Sequence, residues 1–479
     1  MPDIRHVRML LILAALPWMG VHLFRDGGHR RGTTAFETID LGGLPELRSR
    51  NGVLEAILTA APLQVHIGGA VFEGAGYNGS YGGPVLRVKP GDELRLHLVN
   101  KMPSAINLHF HGLRVTPEGR GDNMHILVPP GGRFDYDMRI PPGHPPGLFW
   151  YHDHAFEAAE QHVTAGLSGA LLIDGFAAQF TGLGTAPQQL LVLKDWSQPG
   201  CQGALLKTQL HCRIVSINGQ EHWTDTLAPG QPQLWRISNQ GSDLILHLAA
   251  PGLSLRIVGR DGLPAFDAPI VDRIDIMPAA RLDVLVVAAA AGHFPLSATG
   301  IPTGSGDAFS IKRELGSITA VAPGAAPPVA ILARNGGDLR GAKIDARRLI
   351  VFSENTSSTA FMINGRLFDP ARTDFIIPLG SVEEWTVRNT TPDFHVFHIH
   401  QLGFQVIDIN GKAQNFTGFV DGVRVPEHGE VKLLIPFTDP EIVGHIMFHC
   451  HVLLHEDHGM MARVEVVRPG LFRICRYLQ

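Results

Sequence analysis

The chain has 479 residues, with 54 Gly, 34 Pro and a net charge of -5 from 40 basic and 45 acidic side chains. That length suggests about three domains at ~150 residues each, and the Gly and Pro content favours strands and turns over a helical fold. No basic patch or charge block stands out, which argues against a nucleic-acid partner; the unusual figure is 25 histidines, many of them clustered.

At the N-terminus, Arg5 and Arg8 precede an apolar run from Met9 to Met19. The run has the length of a signal-peptide core and is short for a membrane span of ~20 residues. Residues 1–35 are therefore expected to be an export signal, or an N-terminal anchor, with its leader. Either places the rest of the chain in the periplasm or outside the cell. Export would permit a Cys201–Cys212 disulfide, and two free or buried thiols are the alternative.

Further along, the chain repeats itself. Three segments start at Gly91, Gly230 and Gly380, and each reaches an asparagine nine residues later: Asn100, Asn239 and Asn389. Between them lies a strand-like alternation, such as Leu94, Leu96 and Leu98 against Glu93, Arg95 and His97. A shared pattern at wide spacing predicts a repeated domain. Nine and eleven residues past the asparagine stand His109 and His111 in the first repeat and His398 and His400 in the third. The second repeat has Leu248 and Ala250 there instead.

A second correspondence links the outer repeats. "GLFWYHDH" from Gly147 and "GHIMFHCH" from Gly444 place histidines five and seven residues after the glycine. These are His152 and His154, then His449 and His451. Residues i and i+2 of a strand share a face, so each pair projects two imidazoles in one direction. Eight imidazoles converging between the outer domains suit a cluster of soft or borderline metal ions.

Cys450 lies between His449 and His451, so it points to the opposite face of the same strand. A thiolate there is expected to bind a different ion, with His455 and Met460 from the following loop and His395 from "HVFHIH". Two imidazoles, a thiolate and a weak axial thioether make up the blue-copper electron-transfer set. Cys450 would then ligate one copper while bonded through the backbone to two ligands of the cluster. Zinc has no redox chemistry to use that connection.

These motifs, "HFHG" at His109, "WYHDH" at Trp150, "HVFHIH" at His395 and "HCHVLLHEDHGM" at His449, resemble those of the multicopper oxidases, in order and at family spacing. The resemblance runs from about Leu63 to Val467. It implies an all-β chain of three cupredoxin-like Greek-key β-sandwiches, expected at 45–175, 186–321 and 347–468, with a Pro/Ala-rich connector from Ala322 to Ala330. It implies four coppers per chain. Type 1 would take His395, Cys450, His455 and Met460; type 2 would take His109 and His398. One type 3 copper would take His111, His152 and His451, and the other His154, His400 and His449. Asp122 and Glu456 stand where similar bacterial enzymes carry acidic residues near the cluster, and a carboxylate beside bound oxygen is a sensible proton relay. His162 matches the position of His455, but Asp153 replaces the thiolate and Ile106 replaces His395, so no type 1 copper is expected in the first domain.

The implied activity is oxidation of four donor molecules by one electron each, coupled to reduction of O2 to two waters. A phenolic or aromatic donor, laccase-like, is expected; a cuprous ion is the alternative, and so is copper sequestration without turnover. Only 11 methionines are present, with no methionine-rich run over the type 1 site.

Overall fold

The computed structural model describes residues 36–67, 69–197, 213–301, 311–321 and 337–470. The apolar run from Met9 to Met19, Cys201, Cys212, Cys475 and the 322–330 connector lie outside them. No described helix is long and apolar enough to cross a membrane.

Six β-sheets pair into three sandwiches. The first joins a four-stranded sheet, built on Val53–Ile67 and Glu93–Asn100, to a five-stranded sheet holding His109–His111, Gly147–His152 and Ser168–Ile173. The second joins a seven-stranded sheet, with Gln233–Asn239 and Arg281–Ala288, to a five-stranded one with Ile245–Ala249. In the third, a six-stranded sheet with Ser381–Asn389 faces a five-stranded one with His395–Ile399 and Gly444–Cys450. Each sandwich closes on its own apolar core, around Leu94, Leu96 and Leu98 in the first, Trp235 and Ile237 in the second, and Trp385 and Val387 in the third. The fold is all-β, as the alternating sequence pattern predicts.

The sequence repeat is a repeated strand. Glu93–Asn100 pairs parallel with Val53–Ile67 and antiparallel with Arg133–Arg139. Gln233–Asn239 and Ser381–Asn389 each do the same, with one parallel and one antiparallel neighbour. The closing asparagine has one task in all three. Asn100 donates to the carbonyls of Ser104 and Val128 at 2.8 Å each and accepts the Met102 N–H at 2.8 Å. Asn239 serves Leu244, Ile276 and Gly241 in the same way, and Asn389 serves Asp393, Pro426 and Thr391. A buried amide can satisfy three backbone groups of a turn that has no ladder to use. It thereby fixes the crossing from one sheet to the other, and the His-x-His strand follows at a constant offset.

Only two short α-helices are described, Ala159–Ala165 and Leu453–Asp457, each just after the second histidine pair of an outer domain. They meet. The Asp457 carboxylate accepts the N–H groups of Ala159 at 3.1 Å and Glu160 at 2.8 Å. Those N–H groups open a helix and have no partner within it, so this contact caps one outer domain with a side chain of the other.

Candidate metal centre

In each outer domain the two histidine pairs stand on adjacent antiparallel strands. His109 lies opposite His152, and His398 lies opposite His449. The strands are shorter than the motif spacing implies. His109 and His111 both lie in a strand, but His154, His400 and His451 fall just past the ends of theirs. The pairs still converge, because the extended backbone continues for a residue or two after the ladder stops.

All eight imidazoles are at most 3% exposed. The two domains interleave their rings: His109 stacks on His400 with centroids 3.8 Å apart, and His111 on His398 at 3.9 Å. His154, His400 and His449, expected together, bring their Nε2 atoms together: His449 Nε2 lies 3.2 Å from that of His154 and 3.1 Å from that of His400. His111, His152 and His451 form a looser trio, with centroids 5.0, 5.6 and 6.1 Å apart, and His109 and His398 are separated by 6.0 Å.

The outward nitrogens are held by acceptors. Asp122 lies 3.0 Å from His109 Nδ1, the Asp153 carbonyl 2.8 Å from His152 Nδ1, and the Asp421 carbonyl 2.7 Å from His398 Nδ1. His111 is turned the other way, with Nε2 3.3 Å from Asp421 Oδ1. An acceptor must face an N–H, so the opposite nitrogen carries the lone pair. Those opposite atoms, Nε2 of His109, His152 and His398 and Nδ1 of His111, are buried with no hydrogen-bond partner. Glu456 lies 2.9 Å from His449 Nδ1 and 3.3 Å from His154 Nδ1. The Cys450 carbonyl accepts from His449 Nδ1 at 3.1 Å, so the His449 Nε2 lone pair points at the Nε2 atoms of His154 and His400. Unpaired buried acceptors cost about 1–3 kcal/mol each, so this donor set fits metal ions.

Protonation agrees. Burial, reinforced by neighbouring imidazoles, holds His109, His111, His152, His398, His400 and His451 well below the ordinary histidine range. A neutral imidazole is the ligating form. Burial pushes Asp122 and Glu456 up to about 7. Asp122 also accepts the Phe110 N–H at 3.0 Å and the Gln401 amide at 2.6 Å.

The second group lies across the strand. Cys450 Sγ is 3.4 Å from His395 Nδ1 and 3.7 Å from His455 Nδ1, and the two Nδ1 atoms are 3.0 Å apart. Thr391 Oγ1 holds His395 Nε2 at 2.8 Å, turning Nδ1 inward. Met460 is fully buried in the same core, and its carbonyl accepts the Cys450 N–H at 3.1 Å. Burial pushes the Cys450 thiol up to about 12 and His395 down to about 3. A thiolate therefore forms here only with a cation bound, as a metal-bound thiol does. Phe361 stacks on the His455 ring at 4.1 Å.

Three residues at the cluster escape sequence reasoning. Gln401 follows His400 in the third repeat without a counterpart histidine or carboxylate to mark it, and Asp421 and Arg281 belong to no repeat and no histidine motif. Arg281 comes from the middle domain and is fully buried. Gly112, at φ +85°, follows His111 where a Cβ would stand 2.6 Å from the Arg281 guanidinium and 2.8 Å from the Asp421 carboxylate. Leu248 and Ala250 occupy the ligand positions of the middle domain and are buried in its core.

Three family models described as multicopper oxidase match residues 60–177, 150–319 and 345–470. The chain is 24% identical over 416 residues to the multicopper oxidase mco of Staphylococcus aureus, covering 82% of this chain and 84% of that one. It is 25% identical over 429 residues to the cell division protein FtsP of Xenorhabdus nematophila, covering 83% and 85%. Among solved structures, a Campylobacter jejuni multicopper oxidase described as a metallo-oxidase superposes with a TM-score of 0.75 at 26% identity, covering 90% of this chain and 96% of that one.

Proposed function

The chain belongs to the multicopper oxidase family, and from that premise we propose that it oxidises a small donor one electron at a time and reduces O2 to water. The observation that carries this reading is the complete donor set: eight buried imidazoles converging from the two outer domains, joined through one strand to a buried cysteine between two more imidazoles. A relative of this fold that binds no copper has no need of either. Export to the periplasm or beyond goes with the basic, apolar N-terminus.

His395, Cys450, His455 and Met460 hold the type 1 copper in this reading. His109 and His398 hold type 2, and His111, His152 and His451, with His154, His400 and His449, hold the type 3 pair. Copper, four per chain when bound, supplies one-electron chemistry at Cys450 and the place where O2 is reduced. The chain supplies the rest. Cys450 is joined by peptide bonds to His449 and His451, so an electron entering at its site would have an unbroken covalent path through the backbone to the cluster. Asp122 and Glu456, both raised to about 7 by burial, keep a proton on a carboxyl oxygen near neutral pH and release it toward the cluster as charge develops there. Four electrons from four donors, four protons and one O2 give two waters.

The donor reaches His455. Phe361 lies flat on its ring, the 361–368 segment packs along residues 458–459, and Leu367 is 49% exposed beside Gly459. An aromatic and apolar cover favours a phenolic donor, and the sequence has no methionine-rich run to invite a cuprous ion. The metallo-oxidase description of the Campylobacter jejuni structure favours the cuprous alternative. Oxygen uptake by the copper-loaded protein separates them. Uptake with a phenol at least as fast as with cuprous ion is expected. Fast uptake with cuprous ion alone moves the assignment to copper detoxification. Bound copper with no uptake from either donor means sequestration.

A further inference from the structure

The middle domain offers no ligand, yet it reaches the cluster. Arg281 sits at the start of its strand Arg281–Ala288, and its guanidinium is fully enclosed. Nη1 and Nη2 grip the two carboxylate oxygens of Asp421, in the third domain, at 2.9 and 2.5 Å. A two-pronged guanidinium–carboxylate contact fixes direction as well as distance. Nε donates to the carbonyl of Leu148, in the first domain, at 3.3 Å. Asp261, also of the middle domain, accepts the Arg281 N–H at 3.0 Å and the Asp421 N–H at 3.1 Å. Asp421 is thus clamped at both side chain and backbone by one domain.

What it holds in turn are two rings of the cluster, one from each outer domain. Its carboxylate faces His111 Nε2 at 3.3 Å, and its carbonyl accepts from His398 Nδ1 at 2.7 Å. These two rings stack at 3.9 Å. They are also the rings presented through opposite nitrogens, His111 by Nδ1 and His398 by Nε2. Without the carboxylate below it, His111 has no reason to expose Nδ1 rather than Nε2.

We propose that Arg281 of the ligand-free middle domain is a positioning residue for the copper cluster, acting through Asp421 to fix the orientation of His111 and His398. The middle domain then does more than separate the outer two: it completes the cluster. This rests on the ligand roles given above for His111 and His398, and on no feature of the Cys450 site, which lies in another part of the third domain's core.

That separation supplies the test. Arg281→Met and Arg281→Lys are each loaded with copper beside the native protein. Three quantities are read from the same samples: copper per chain, the blue absorption of the Cys450 site, and the type 2 signal by electron paramagnetic resonance. A native protein with the blue band but no type 2 signal overturns the ligand roles themselves, before any variant is considered. With the native signal present, Arg281→Met is expected to keep its blue band and lose most of the type 2 signal and at least one copper. Arg281→Lys keeps the charge but not the fork, and is expected to show a shifted type 2 signal at intermediate occupancy. If Arg281→Met does not fold, as loss of the blue band would show, the lysine variant decides alone. Native copper content and an unshifted type 2 signal in a blue variant would overturn the proposal.

Discussion

The first and third domains carry the same local structure after the second histidine pair, and fill it in opposite ways. In the third, Cys450 faces His395 and His455 across gaps of 3.4 and 3.7 Å, and the strongest ligand of the three is a thiol that burial keeps protonated. In the first, Asp153 replaces the cysteine and His162 the second histidine. Asp153 Oδ2 lies 2.7 Å from His162 Nδ1, and His162 Nε2 lies 2.7 Å from Ser104 Oγ. The other Asp153 oxygen accepts the Asn107 N–H at 2.7 Å. Every side-chain nitrogen and oxygen of Asp153, His162 and Ser104 is paired, and none of these is left for an ion. One scaffold makes either an open set of buried donors or a closed hydrogen-bond chain, and the choice rests on whether the buried groups can satisfy one another.

The largest effect should come from breaking the open site. Cys450→Ser is expected to abolish the blue absorption and all donor oxidation while copper at the imidazole cluster remains; absorption spectra and metal analysis of one preparation check both. Next in size is metal removal. The copper-free protein retains buried imidazoles held far below their ordinary value of 6.5. The unfolded chain takes up protons near that pH and the folded one refuses them, so this stabilisation is complete above about 6.5 and is lost as pH falls below it. Asp122, Asp421 and Glu456, raised to about 7, act in the opposite sense, but the histidines outnumber them. Acidification from pH 7 to 5 should cost the copper-free protein a few kcal/mol per pH unit, at ~1.4 kcal/mol for each net proton. Denaturant melts across that range measure it, and copper should add about 3 kcal/mol or more of stability at pH 7.

Glu456→Gln keeps the shape of the carboxyl and removes its proton exchange. Oxygen consumption should slow by about 100-fold, with the blue band retained and bleached normally by donor in the absence of air. Smallest of all is the closed chain. His162→Ala leaves the Asp153 carboxylate buried beside an unfilled gap and should cost about 1–3 kcal/mol of stability. Copper content, colour and turnover should not change. A loss of copper in that variant would mean that the two domains are less independent than their hydrogen bonds imply.

Much of the site is legible in the sequence because a strand converts spacing into direction. Nine residues from asparagine to histidine mean the same thing in both outer domains, since Asn100 and Asn389 tie down the same turn. Cys450, one residue from each of two histidines, must face away from them. The supports were not legible. His111 and Asp421 are 310 residues apart, Asp122 and Gln401 are 279 apart, and Arg281 and Asp421 are 140 apart. None of these pairs follows a period, because each joins separate sandwiches, and no pattern within one strand or turn encodes how domains meet. The reversal of His111 was invisible for the same reason. Spacing gives the face on which a ring lies, and only the neighbour behind it decides which nitrogen looks inward.

The most direct test of the ligand assignment is the stoichiometry of turnover with a phenolic donor. Donor oxidised, O2 consumed and peroxide formed are measured together on the copper-loaded protein. A cluster fed through Cys450 predicts four donors oxidised per O2 with no peroxide accumulating. Two donors per O2 with matching peroxide would mean that the eight imidazoles do not act as one oxygen-reducing centre.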